Sequence, residues 1–338
     1  MARILVTGSD GLVGSALRRA AKGSQHEFVF SHRSPTAGLE REARLHTYCD
    51  LDRTDQVARF FDFVKPDAVI HTAAFVGGIG QQEAHPFDLA HQNLLMNCNV
   101  IEQCVRHKVK RLLAFSSVCA MPDYSVSYVH PKDVGKDFKE LSLNEGDMHA
   151  YQPPKENWHY GYAKRMVDVL IDGAMRQHGA KNWCSVIPVN IYGPNDNYRL
   201  GVCHVVPALI HKLYLARKNG EPLKVWGDGS AVREFLYADD LAKVLLRLLD
   251  LPEVPQRLIV SPSVPCSVQH LVTELCVAAG HRDGFIDWQR DKPNGQHARP
   301  TDTSLLRRLL PGIEWTPLRD GLRASYEWFA TNYPQVRM

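Results

Sequence analysis

No apolar stretch in these 338 residues approaches the roughly 18–20 residues needed to cross a bilayer, so no membrane-spanning segment is expected. The opening Met1-Ala2-Arg3-Ile4-Leu5-Val6 runs directly into a strand-like segment. It lacks the long apolar region of a signal peptide, and the expectation is a cytoplasmic protein. A CxxC pair is missing. Of the eight cysteines, only Cys98 and Cys104 lie near one another, which argues against a zinc site or a dense disulfide framework. Most of them are expected to be small buried hydrophobes, and no metal is expected. There is no dense Lys/Arg run, and the formal net charge is only +3, so no nucleic-acid partner is indicated. A local basic patch for an anionic substrate remains compatible with that balance. Internal repeats and low-complexity tracts are also lacking.

What is present is the composition of a globular protein, 44% hydrophobic and 23% charged, large enough for one big domain or two smaller ones. The first part of the chain alternates two kinds of segment. Arg3–Thr7, Glu27–Ser31, Asp67–His71 and Arg111–Ser116 read as short apolar, β-branched or aromatic strands. Between them, Leu12, Val13, Ala16, Leu17 and Ala20 recur at helical spacing, as do Leu94, Leu95, Val100, Ile101 and Val105. Tyr160–Met175 continues as helix and Trp183–Val189 as strand. Such alternation predicts an α/β fold, a doubly wound parallel sheet of Rossmann type. After Asn190 the character changes. Ile191–Arg199 reads as loop, His204–Arg217 as helix and Leu223–Trp226 as strand. A helix over Asp239–Leu249 and a strand over Arg257–Ser261 could return to the main sheet, and an amphipathic helix closes the chain around Leu322–Tyr333. The expected division is a nucleotide-binding domain of residues 1–190 plus about 239–262. A smaller, discontinuous α/β substrate domain takes 191–238 plus about 263–338. The stretch Met121–His159 has four prolines and no clear period, as functional loops and lids do.

Thr7-Gly8-Ser9-Asp10-Gly11-Leu12-Val13-Gly14 follows the first strand and opens the first helix. In this GxxGxxG spacing Gly8 permits the tight turn, Gly11 lets the backbone approach a pyrophosphate, and Gly14 allows close packing of the helix. A glycine triplet alone also occurs as plain structure; its place between strand and helix points to a dinucleotide. The second strand is followed by His32-Arg33-Ser34. No carboxylate stands there for a ribose 2′-hydroxyl, and Arg33 suits a 2′-phosphate, so NADP(H) is expected. Asp10 is unusual for such a site because its carboxylate approaches the phosphates. Asp50-Leu51 lies where the adenine could be contacted, although such acids are often helix caps.

Tyr160-Gly161-Tyr162-Ala163-Lys164 has YxxxK spacing, and residues four apart share a helix face. A lysine there can lower the tyrosine pKa and hold the nicotinamide ribose, leaving the tyrosine to exchange a proton with a carbonyl or alcohol. Ser116-Ser117 stand at the end of the fourth strand. Glycine motif, strand-end serine and YxxxK, in that order, resemble the extended short-chain dehydrogenases/reductases. A closer resemblance, to the GDP-L-fucose synthases, runs along nearly the whole chain. It is carried by Ala73-Ala74-Phe75-Val76-Gly77-Gly78-Ile79, Gln92-Asn93, Ser117-Val118-Cys119 and Ile187-Pro188-Val189-Asn190-Ile191-Tyr192-Gly193-Pro194-Asn195-Asp196-Asn197. His204-Val205-Val206-Pro207-Ala208-Leu209-Ile210, Val225-Trp226-Gly227-Asp228-Gly229 and Arg233-Glu234-Phe235-Leu236 also carry it.

The resemblance implies epimerisation of a 4-keto-6-deoxy-GDP-mannose at carbons 3 and 5, then reduction at carbon 4 by NADPH. It implies that Ser117, Tyr160 and Lys164 serve the reduction, while Cys119 and His204 are the acid/base pair of the epimerisation. The cofactor would be met by Ala73, Ala74 and Val76, by Ser116 and Lys164, and by Pro188, Asn190, Ile191 and His204. Lys212, Trp226, Arg233 and Asn294 would bind the GDP-sugar, Asn294 standing where an aspartate is common in the family. A homodimer is implied as well, formed by two long helices whose apolar faces would be Asn93–Val105 and Met166–Met175. The segment from Cys119 to Tyr160 is longer than usual, which makes it a candidate determinant of the sugar accepted. Competing readings are a related GDP-deoxysugar enzyme that only reduces or only epimerises, such as a colitose-type one, and a non-catalytic NADP sensor.

Overall fold

The chain is described by a computed structural model over residues 1–33, 46–123, 142–281, 286–292 and 300–338. Its first part runs β1 (Arg3–Thr7), α1 (Leu12–Ala20), β2 (Glu27–His32), β3 (His46–Tyr48), α2 (Thr54–Val64) and β4 (Ala68–His71). Next come α3 (Ile79–Ala84), α4 (Pro86–Arg106), β5 (Arg111–Phe115), α5 (Trp158–His178) and β6 (Trp183–Pro188). There follow β7 (Asn190–Tyr192), α6 (Val205–Asn219), β8 (Leu223–Trp226), β9 (Val232–Tyr237), α7 (Ala238–Asp250) and β10 (Arg257–Val260). The carboxyl-terminal part adds β11 (Pro265–Ser267), α8 (Val268–Ala278), β12 (Ile286–Gln289), α9 (Ser304–Leu309) and α10 (Leu318–Asn332).

Seven parallel strands in the order β10-β6-β5-β4-β1-β2-β3 make the main sheet. Its central strands are buried on both faces, which is why β4, β5 and β6 are mostly apolar along their length, with His71, Arg111 and Ser185 as the polar exceptions. On one face α1 and α7 pack Leu17, Leu241 and Leu245 against Val6 and Val186. On the other, α2, α4 and α5 bring Phe61, Val100, Val167 and Ile171 onto Leu5, Val69 and Leu112. The strand order reverses between β1 and β4, and such a reversal opens a crevice at the carboxyl ends of the strands. A third core joins α6, α8 and α10 through Leu213, Leu275 and Phe329. Beside it lie a three-stranded sheet, β11-β9-β7, and a two-stranded one, β12-β8.

The chain passes between these layers repeatedly. From β9 in the small sheet it enters α7 and then β10, which pairs with β6 in the main sheet, before β11 returns to β9. Glu234 on β9 ties the layers together. Its buried carboxylate accepts from Ser261 Oγ at 2.7 Å, Thr301 N at 3.1 Å and Thr301 Oγ1 at 2.5 Å.

Some elements depart from the sequence-based expectation. Ile191 and Tyr192, read there as loop, belong to β7, which lies parallel to β9 with Asn190 opposite Phe235. Three residues are too few to show a period, and the partner strand supplies the order. Within the long stretch after Cys119, Leu143 bridges Thr301 and Asn144 caps a short helical turn over Glu145–His149. The remainder of the expected lid, residues 124–141, lies outside the described residues. Among the described residues no helix is long and apolar enough to cross a membrane.

Candidate active site

A cleft with about 620 Å³ of free volume runs from the carboxyl ends of the main-sheet strands to α6 and β8. Its floor is the glycine loop. Gly8 has φ +72°, and a Cβ there would stand 2.7 Å from Ala73 Cα; one on Gly14 would stand 2.4 Å from Gly8 O. Only glycine fits either place. Gly11 is the N-cap of α1 and offers no side-chain acceptor to the helix amino end. That end is a ready anion site. The worry raised by Asp10 has a local answer: its carboxylate is held by His32 Nδ1 at 2.6 Å and faces Arg18 Nη2 at 3.7 Å. Arg33 follows β2, lines the cleft, and lies 3.6 Å from Asp52.

The positions singled out from the sequence converge on this cleft. Gly8, Ser9, Asp10, Gly11, Leu12 and Val13 line it, with Arg33, Asp50 and Leu51 at one end. Ala73, Ala74, Val76, Ser116, Pro188, Asn190 and Ile191 form its walls. Lys212, Trp226 and Arg233 line the far end. Gly14 is buried beneath the loop rather than on the cleft surface. Asn294 lies outside the described residues.

Tyr160 and Lys164 sit on adjoining turns of α5, both buried. Three contacts fix that helix against the strand ends. Ser116 Oγ donates to Lys164 O at 3.0 Å, and Arg165 donates to Ala120 O at 2.6 and 3.0 Å. Gly161 allows the closest approach: a Cβ there would lie 2.6 Å from Cys119 O and 2.7 Å from Pro153 Cβ. Ser117 caps the short turn bearing Cys119, accepting from Cys119 N at 3.1 Å, and its hydroxyl acts to lower the Tyr160 pKa.

The electrostatics differ from the simplest YxxxK expectation. Burial pushes the Tyr160 phenol up; the nearby Cys119 thiol adds to this and the Ser117 hydroxyl opposes it. Lys164 does not lower the tyrosine here. Its Nζ donates to Phe115 O at 2.9 Å, and burial pulls its own pKa down to about 7. Tyr160 is therefore a neutral proton donor at neutral pH. Beneath it, Thr7 Oγ1 and Asn97 Oδ1 flank His71 at 2.7 and 3.0 Å. Burial, then Lys164, pull this imidazole down to about 3, with Asn97 opposing. Its Nε2 donates to Asn97 and its Nδ1 accepts from Thr7, a rigid neutral link.

Cys119 and His204 also face the cleft. His204 precedes α6, on a loop locked by Gly78 N donating to Val202 O at 2.7 Å. Gly77, Gly78 and Gly80 have no room for a Cβ against residues 201–203 or their own helix, which accounts for the glycines of that motif. Surrounded by protein yet open to the cleft, His204 has its pKa lowered by burial and then by Arg337. It is neutral at pH 7. The adjacent Cys203 thiol is pushed up to about 12 by burial and by Asp196. Burial lowers the pKa of Lys212, whose Nζ donates to Lys224 O and stands 5.3 Å from the Trp226 ring centroid.

Two residues of the cleft were not anticipated. Asp196 is buried, its Oδ2 has no hydrogen-bond partner, and burial raises its pKa to about 7 against the opposing Asn197 N–H bond and Arg337. Arg337 arrives from the carboxyl-terminal tail. Asp196 lay within a recognised motif, but Arg337 carries no sequence signal near any other site residue.

The NAD dependent epimerase/dehydratase family profile matches residues 4–260. The chain is 33% identical to the GDP-L-fucose synthase of Dictyostelium discoideum over 99% of its length and 97% of that protein. It is 34% identical to GDP-L-fucose synthase 1 of Arabidopsis thaliana, over 98% and 94%. The crystal structure of a GDP-L-fucose synthetase from Naegleria fowleri bound to NADP superposes with a TM-score of 0.81 at 27% identity, covering 100% of this chain and 96% of that one.

Proposed function

We propose that this chain, which belongs to the NAD dependent epimerase/dehydratase family and within it to the GDP-L-fucose synthases, makes GDP-L-fucose from GDP-4-keto-6-deoxy-D-mannose with NADPH. The observation that carries this reading is one cleft with two proton-handling sets. Ser117, Tyr160 and Lys164 lie on one side, Cys119 and His204 line the same space, and the whole sits between a glycine loop and a basic, aromatic shelf.

The residues fit the cofactor: the loop around Gly8 and Gly14 has no room for a Cβ, α1 presents an uncapped amino end, and Arg33 offers a guanidinium for the 2′-phosphate. Bound NADPH supplies hydride to carbon 4. Asp50, Leu51, Ala73, Ala74, Val76, Ser116, Pro188, Asn190 and Ile191 shape its channel, and Lys164 holds the ribose. The 4-keto group acidifies the protons on carbons 3 and 5, and Tyr160 and Ser117 hydrogen-bond the enolate oxygen formed when either is removed. Cys119 and His204 exchange protons with these carbons, the neutral imidazole serving in either sense. In the reduction Tyr160 delivers its proton to the carbon 4 oxygen. Lys212 and Arg233 offset the substrate diphosphate and Trp226 packs on the ligand.

In this reading residues 1–190 and 239–262 bind the cofactor, and 191–238 with 263–338 bind the sugar nucleotide. The protein is a homodimer through α4 and α5, which pack side by side and leave Leu95 and Val169 exposed. Its cysteines are free thiols, as suits the cytoplasm. Incubating the protein with NADPH and the keto-sugar, with the product identified by NMR, tests the activity. One NADPH consumed per GDP-L-fucose formed is the expected result. No oxidation would leave a sensor, and a product unepimerised at carbons 3 and 5 would leave a plain 4-keto reductase. Light scattering should give a dimer, and a monomer at micromolar concentration would refute that part.

A further inference from the structure

Among the described residues lining the cleft, the Lys and Arg cations are Arg33, Lys164, Lys212, Arg233 and Arg337. The first four have partners: Asp52, Phe115 O, Lys224 O and Val232 O respectively. The Arg337 guanidinium makes no hydrogen bond or ion pair with a described residue, although it is not on a loose end of chain. Tyr198 N donates to Arg337 O at 2.9 Å. The preceding Val336 is buried in the third core, and the Tyr198 ring packs 4.6 Å from Phe329 of α10. The tail is thus docked and delivers its penultimate side chain into the cleft.

The place it reaches is specific. A Cβ on Gly11 would stand 3.7 Å from Arg337 Nη1, so the guanidinium lies over the amino end of α1, where a dinucleotide places its pyrophosphate. The glycine loop has no cation of its own, and its one charged residue, Asp10, is occupied by His32 and Arg18. A diphosphate bound there needs charge from elsewhere in the fold. A planar guanidinium matches two phosphate oxygens at once. Its influence on both His204 and Asp196 places the charge where the cofactor floor meets the epimerisation side of the cleft.

We propose that Arg337 completes the diphosphate cradle of the cofactor site from the carboxyl-terminal tail. The inference rests on the NADP reading above. The other diphosphate in this chemistry, that of the GDP-sugar, belongs to the far end of the cleft with Lys212 and Arg233, and the position over Gly11 favours the cofactor.

Full-length wild type, Arg337→Gln and Arg337→Lys are titrated with NADPH, with 2′-AMP, which lacks the pyrophosphate, and with GDP. Loss of a charge-assisted contact should raise the NADPH Kd of Arg337→Gln about ten- to hundredfold. Arg337→Lys should recover part of that loss, and 2′-AMP and GDP binding should stay at wild-type levels. Unchanged NADPH binding in Arg337→Gln overturns the proposal. So does weakening confined to GDP, which would assign the residue to the substrate. Equal weakening of all three ligands with a lowered Tm also overturns it, because the tail would then be a structural strap. Failure of the wild type to bind NADPH would overturn the cofactor reading itself, a result distinct from each of these.

Discussion

Replacing Gly161 by alanine tests whether the active site depends on the close approach of α5 to the turn bearing Cys119. The added Cβ would meet Cys119 O at 2.6 Å and Pro153 Cβ at 2.7 Å, and neither neighbour is the tip of a flexible side chain. Restoring an ordinary carbon–carbon contact of about 3.5 Å to Pro153 requires a shift of about 0.8 Å. Overpacking of this kind costs about 1–3 kcal/mol, while replacing a helical glycine by alanine returns up to about 1 kcal/mol. Stability should therefore fall only modestly. The chemistry should suffer far more, because a displacement near 1 Å costs on the order of a hundredfold in rate. It separates Tyr160 from the Ser117–Cys119 turn, on which both reactions draw. The assays are NADPH oxidation, solvent-deuterium incorporation into the keto-sugar, and thermal unfolding. We expect both rates to drop about a hundredfold while the fold persists. Rates at the wild-type level in the folded variant would refute the claim that this contact sets the geometry.

Arg33→Ala should weaken NADPH binding much more than NADH binding; equal effects in parallel titrations would remove Arg33 from the 2′-phosphate. Cys119→Ser should slow deuterium incorporation at carbons 3 and 5, and exchange at the wild-type rate would reduce Cys119 to a packing residue. Tyr160→Phe should slow hydride transfer by roughly two to four orders of magnitude, measured by single-turnover NADPH oxidation; a loss below tenfold would contradict a donor role. Lys164→Met should flatten a pH dependence of ligand-free stability. Between about 7 and the unfolded value near 10.4, the unfolded chain binds a proton that the folded one does not, so wild-type stability rises with pH across that window relative to the variant. Denaturant titrations showing a constant difference from pH 6 to pH 10 would contradict the lowered lysine.

The legible part of the site was local. GxxGxxG and YxxxK each set several side chains within one turn or one helix, so spacing alone placed Gly8, Gly11, Tyr160 and Lys164 on the cleft. Spacing could not say where a flexible side chain points. Lys164 shares a face with Tyr160, yet its ammonium goes to Phe115 O, and burial reverses the expected shift of the phenol. Arg337 and Gly11 meet only because α10 docks on α6 and carries the tail back across the cleft, a coincidence of packing with no periodic trace. β7 was illegible for a related reason, since its order comes from β9, more than forty residues later. The α/β alternation, by contrast, is written in the doubly buried strands themselves, and the main sheet formed where their apolar runs stand.

The route of the chain between its layers bears on how such an enzyme can change its sugar. β9, α7, β10 and β11 alternate between the small sheet and the main one, with Glu234 bolting the crossing to Ser261 and Thr301. With the proposed assignment of residues 1–190 and 239–262 to the cofactor and 191–238 and 263–338 to the sugar nucleotide, no single cut in the gene separates the two sets. A recombinant whose crossover falls between β9 and β10 would inherit the two strands from different parents and would have to rebuild the Glu234 contacts with Ser261 and Thr301 from mismatched halves. If the far end of the cleft, around Lys212, Trp226 and Arg233, holds the sugar nucleotide as proposed, new specificity is reached more readily by substitutions there than by exchange of whole domains.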